Sequence, residues 1–145
     1  MSRVVNPDSV GSERTRLTKT IVIAIRELMK QTEPNDVSRD LIAYILISLE
    51  RIYETVDISV EAWEKRGYWV KAEHFRMDWD WTRILSERLR PPVEAENYGE
   101  VIPIAVKIAG ALGQINVSER HRYGTPWTGF WGILQSRLKA DGRNG

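Results

Sequence analysis

Between residues 41 and 63, Leu41, Ile45, Leu49, Ile52, Val56, Val60 and Trp63 follow one another at steps of 4, 4, 3, 4, 4 and 3 residues. That spacing lines all seven along one side of an α-helix. A strand, whose side chains alternate faces at every second residue, cannot reproduce it. Leu41, Ile52 and Trp63 also repeat at eleven residues, a period of about 3.67 per turn that favours a nearly straight or slightly right-handed pairing with a neighbouring helix. A helix of this length with one apolar side requires partners, and the rest of the chain supplies them.

Leu17, Ile21, Ala24, Ile25 and Leu28 repeat at three and four residues and predict a first helix over 12–31. The TEPND stretch at 32–36 breaks it, and Asn35 or Asp36 can cap the next helix. Lys65 and Arg66 followed by Gly67 read as the end of that second helix, with basic charge at its C-terminus and a left-handed cap. A third segment, 68–90, carries Ala72, Phe75, Trp79, Thr82 and Leu89 on one side and Met77, Trp81 and Leu85 on another, so it should contact two partners. Two antiparallel helices and one kinked helix both remain open for 35–90. Pro91 and Pro92 should stop the third helix, because neither has an N–H and each disfavours helix in the preceding residue.

Val101, Ala105, Ile108, Leu112 and Ile115 predict a fourth helix, with Asn97 and Glu100 as a capping box and Pro103 either kinking it or moving its start later. Thr125 and Pro126 read as a cap and first helical residue of a fifth, short helix whose aromatic side holds Trp127, Phe130 and Trp131 above Leu134 and Leu138. Gly129 and Gly132 weaken it by about 1 kcal/mol each relative to alanine, so it depends on packing. The expected architecture is all-α: an up-and-down bundle of four main helices plus a short C-terminal fifth helix. One helical domain is expected over 1–145, with 1–11 and 140–145 flexible.

With 145 residues and 42% apolar content, the chain can bury a substantial core. The absence of cysteine excludes disulfides, thiolate metal sites and a cysteine nucleophile. No apolar run approaches the roughly 18 residues that span a bilayer, and the first fourteen residues lack an apolar signal core. No membrane contact and a cytoplasmic location are therefore the expectation. A net charge of +1 conceals a gradient: residues 1–31 hold six basic and three acidic groups, 32–67 four and eight, and 118–145 five and two. Pairing between helices accounts for this pattern most simply. The alternative is a helical subunit of a nucleoprotein complex, its basic ends meeting a polyanion.

Three constellations are candidates for function. The first is aromatic: Trp127, Phe130 and Trp131, with Trp79 or Trp81 opposite, have the large contact area and low rotamer cost of interface anchors. They suggest a non-enzymatic interaction module that self-associates or joins a larger assembly through protein contacts. The second is Arg120, His121, Arg122 and Tyr123, which precede the expected fifth-helix start. Arginines beside free helix N–H groups could bind an anion, giving a ligand-binding or enzymatic alternative. The third is the ridge Glu50, Glu54, Asp57, Glu61 and Glu64, which with His74 and Asp78 offers weak metal candidates, chiefly Glu61, Glu64, His74 and Asp78. Glu61 and Glu64 have the E-x-x-E form of all-α nucleotide pyrophosphohydrolases of the MazG type. That pattern needs a second E-x-x-D, and none follows. No cofactor is expected, since no phosphate loop, serine–histidine triad context or H-E-x-x-H pattern occurs.

Overall fold

A computed structural model describes residues 7–142 and resolves them into five α-helices with no strand among the described residues. They are α1 (Pro7–Met29), α2 (Asp36–Lys65), α3 (Trp69–Glu94), α4 (Tyr98–Ala111) and α5 (Phe130–Ala140). Of the segments expected to be flexible, 1–11 and 140–145, residues 7–11 form the start of α1 and Ala140 ends α5, while 1–6 and 143–145 lie outside the described residues. Helix α1 starts earlier than the periodicity predicts, because Val10 is already buried and adds a turn to the packed stripe.

Helix α2 is the axis of the molecule. Its start is set locally: the Asn35 side chain accepts from Ser38 N at 2.8 Å, and the Asn35 N–H donates to Ser38 Oγ at 2.9 Å. Such reciprocal capping satisfies two otherwise orphaned donors. Its end is equally local, since Gly67 adopts φ +82° while Gly67 N and Tyr68 N donate back to Glu64 O and Trp63 O. The 35–90 region is therefore two helices. Glu13 meets Arg51 and Thr20 meets Tyr44, so α1 and α2 run antiparallel. Glu64 meets Arg76 and Glu50 meets Arg90, so α2 and α3 do too.

Packing surrounds α2 on three sides: α1, α3 and α5 all lie along it, while α4 lies against α3 and also reaches α1. Every residue from 41 to 49 is buried as a result. A one-sided stripe predicts fewer, and the third neighbour, α5, accounts for the difference. Leu41, Ile42, Ile45, Leu46, Leu49 and Ile52 are essentially inaccessible, each contributing about 1.5–3 kcal/mol relative to exposure.

Two helix boundaries differ from the sequence expectation. Helix α3 runs through Pro91 and Pro92 to Glu94. The prolines remove donors that would have served Glu87 O and Arg88 O, but their own carbonyls accept from Ala95 N and Asn97 N at 3.0 and 2.8 Å. Burial of Pro92 and Val93 holds this last turn in place. Helix α5 begins at Phe130, not at Pro126. Thr125 and Pro126 instead open a turn, in which Thr128 N and Oγ1 both donate to Thr125 O, and Gly129 at φ +86° interrupts the helical path. Pro103 stays inside α4, whose start is fixed by Asn97 accepting from Glu100 N at 3.3 Å.

Candidate functional site

The aromatic residues at and just before the start of α5 pack against the bundle core, Trp127 fully and Phe130 and Trp131 in part. Trp127 is buried with 6% of its surface accessible. Phe130 meets Tyr44 edge-on at 4.7 Å, and the Tyr44 hydroxyl donates to Thr20 Oγ1 at 2.8 Å, joining α5, α2 and α1. Trp131 is half-buried against the core. Trp79 and Trp81 are half-buried and stacked at 6.2 Å, continuing a ladder from Trp63 to Phe75 at 4.8 Å and Phe75 to Trp79 at 6.1 Å. Edge-to-face and offset contacts of this kind add about 0.5–1.5 kcal/mol per pair to ordinary burial.

The apolar surface that remains exposed is elsewhere, on α3. Tyr68 and Trp69 are exposed at its start, and Val70, Met77 and Ile84 expose 73%, 67% and 42% of their surfaces along its length. These last three stand at i, i+7 and i+14, on the side of the helix turned away from buried Ala72, Thr82 and Leu89. Sequence periodicity separates two sides of this segment and puts Met77 with Leu85. The structure divides them: Leu85 packs inward, and Met77 joins Val70 and Ile84 outside. The seven-residue spacing was the available signal.

The loop residues Arg120, His121, Arg122 and Tyr123 do come together, around a pocket of about 460 Å³ that Lys19 of α1 also lines. Arg26 holds the loop to α1, donating to Val117 O at 2.7 Å and lying 3.8 Å from Glu119. His121 Nδ1 accepts from Tyr123 N at 3.2 Å, which leaves the neutral ring's proton on Nε2. The helix terminus imagined as the other half of this site is occupied. Asp40 of α2 accepts from Gly129 N at 3.0 Å and Trp131 N at 2.9 Å, so its carboxylate already meets the positive end of α5.

The acidic ridge is largely neutralised by bases. Glu50 forms a two-pronged pair with Arg90 at 2.6 and 2.8 Å, Glu54 meets Arg51 at 2.9 Å, Glu61 meets Lys65 at 3.7 Å and Glu64 meets Arg76 at 3.6 Å. The hydrogen bonds that Arg90 donates to Glu50 raise the Arg90 pKa against the opposing effect of burial. His74 and Asp78 are exposed, and no group of three His, Asp or Glu side chains is placed to hold a metal among the described residues. A further pocket of about 520 Å³ between α1, α2 and α5 is lined by Arg16, Arg51 and Arg137 over Leu17 and Phe130. Arg51 is committed there to Glu13 at 2.7 and 2.9 Å, and its pKa is raised by that bond.

Among the described residues no helix is long and apolar enough to cross a membrane. No protein-family model matches the chain, and comparisons with curated proteins and with solved structures give no significant match.

Proposed function

We propose that this chain is a non-enzymatic helical interaction module that pairs with a second copy of itself through the outer side of α3. One observation carries the reading: Val70, Met77 and Ile84 stand exposed at seven-residue intervals on a helix whose opposite side is already packed. A repeat of seven is the spacing at which two helices keep one seam in register. The three side chains stand about 10 Å apart along the helix, with Glu73, Asp80 and Glu87 three residues on from each, so the seam is a narrow apolar row edged by carboxylates. The stripe also suits a two-fold partner. Val70 and Ile84 lie equally far from Met77, so an axis at Met77 sets Val70 of one copy against Ile84 of the other and Met77 against itself.

Native mass spectrometry of the full chain tests the proposal. The expected species is twice the 16.8 kDa chain mass with nothing added. Met77→Glu places a carboxylate in the seam and should yield monomer with unchanged helical circular dichroism, because residue 77 is exposed within its own subunit. A monomeric wild type at micromolar concentration, or a dimer that survives the substitution, rejects the α3 surface. Retained metal, phosphate compound or nucleic acid would favour the ligand-binding or nucleoprotein alternatives.

A further inference from the structure

Arg14 reaches from α1 across to α2 and meets no carboxylate there among the described residues. Other arginines that bridge elements end on acids: Arg51 on Glu13, Arg90 on Glu50, Arg39 on Glu96. Arg14 Nη1 instead donates to Thr55 O, Thr55 Oγ1 and Ser59 Oγ at 3.2, 3.3 and 3.2 Å. Its guanidinium carbon lies 4.7 Å from the centre of the Phe75 ring and 5.8 Å from that of Trp79. Ring faces and hydroxyls orient a cation without neutralising it. Burial lowers the Arg14 pKa, with no acidic group acting in the other direction. The guanidinium remains charged at any physiological pH, so the site holds a fixed positive charge that meets no carboxylate among the described residues.

A pocket of about 390 Å³ opens at this point between α1 and α2, and Arg14, Arg66, Ser12, Thr15, Ser59 and Trp63 help to line it. Among the described residues no aspartate or glutamate lines it. Arg66 supplies a second guanidinium from the C-terminal cap of α2. Ser59 accepts from Arg14, which leaves its own hydroxyl proton to donate, whereas Thr15 already donates to Gly11 O at 3.1 Å. Two forked cations and two serine hydroxyls, approaching from two helices, offer more donors than a planar carboxylate has acceptors. They suit a tetrahedral anion.

We infer that this pocket binds a small phosphate-class oxyanion, held by the guanidinia of Arg14 and Arg66 and by the hydroxyls of Ser12 and Ser59. The bare ion does not fill the volume, so the phosphate could be free or carried by a small monoester. The pocket shares no residue with the exposed stripe of α3, and the two proposals stand or fall separately.

Titration of the isotopically labelled full chain by NMR tests this inference, first with inorganic phosphate and then with glycerol phosphate, against chloride at equal ionic strength. Saturable shifts of the amides at 11–15, 59 and 66 are expected. Tighter binding of glycerol phosphate would identify the monoester, and equal or weaker binding the free ion. Arg66→Ala should weaken binding about tenfold or more, the value of a charge-assisted hydrogen bond, and should leave the fold intact because Arg66 is exposed. Arg14→Lys should weaken it similarly by removing the fork. Three results would overturn the inference: no saturable shift beyond the chloride control, shifts at the 120–123 loop in place of these, or unchanged affinity in Arg66→Ala.

Discussion

At the scale of single residues, caps divide into those that sequence exposes and those that only the fold creates. Asn35 and Ser38 are three apart, so their reciprocal bonds can be anticipated from the TEPND stretch alone. Asp40 is 89 residues from Gly129 and 91 from Trp131. Nothing in a one-dimensional pattern connects them, and Asp40 reads merely as a polar residue near the start of α2. Its role is nevertheless clear in physical terms, because α5 has no side-chain cap of its own and begins after a left-handed glycine. Asp40→Ala should therefore lower stability by about 1–2 kcal/mol, the cost of losing a capping carboxylate at a helix N-terminus. Denaturant unfolding would read the loss, and hydrogen exchange should speed up first at residues 129–133. A change spread evenly over α2 would show that Asp40 acts through its own helix instead.

At the scale of elements, α3 is the helix whose sequence is most ambiguous and whose environment is most divided. Its prolines read as a stop because they act locally on donors and on the preceding backbone. The added turn depends on burial of Pro92 and Val93, which is decided by distant neighbours. The same helix is tied to α2 near both ends, by Arg76 to Glu64 and by Arg90 to Glu50. The two ties are unequal. Arg76 and Glu64 are 3.6 Å apart, with the arginine side chain 45% exposed, and such a pair contributes little. Glu50 and Arg90 are 21–27% exposed and make two short bonds. Glu50→Ala leaves a half-buried guanidinium with Glu94 at 3.6 Å as its remaining acidic neighbour, and it should cost roughly 2–3 kcal/mol, the range for charged hydrogen bonds. Glu64→Ala should fall within about 1 kcal/mol of the parent protein. Chemical denaturation of the two variants side by side checks the ordering, which reversed values would contradict.

At the scale of the whole molecule, the question is how six tryptophans are shared between folding and association. Helical periodicity revealed the bundle because every core helix carries its own stripe, but it could not tell a tryptophan packed within the subunit from one offered to a partner. Both look like large apolar residues at helical spacing. The fold resolves most of them: Trp127 is core, Trp63, Trp79 and Trp81 form a ladder beside α2 and α3, and Trp131 is half-buried beside Asp40. Trp69 alone of the six is more than half exposed, next to Val70 on the helix proposed as the contact. Two substitutions should then separate the two uses of apolar surface. Trp131→Ala removes packing from the α5–α2 seam and should destabilise the protein by about 2–4 kcal/mol, toward the lower end because the ring is only partly buried, while the dimer mass persists in native spectra wherever the chain is folded. Met77→Glu should do the converse, dissociating the dimer with little change in the unfolding of the subunit once both are compared at the same chain concentration. If Trp131→Ala instead gave a folded monomer, the aromatic side of α5 would be the association surface and the stripe on α3 would have no part in it.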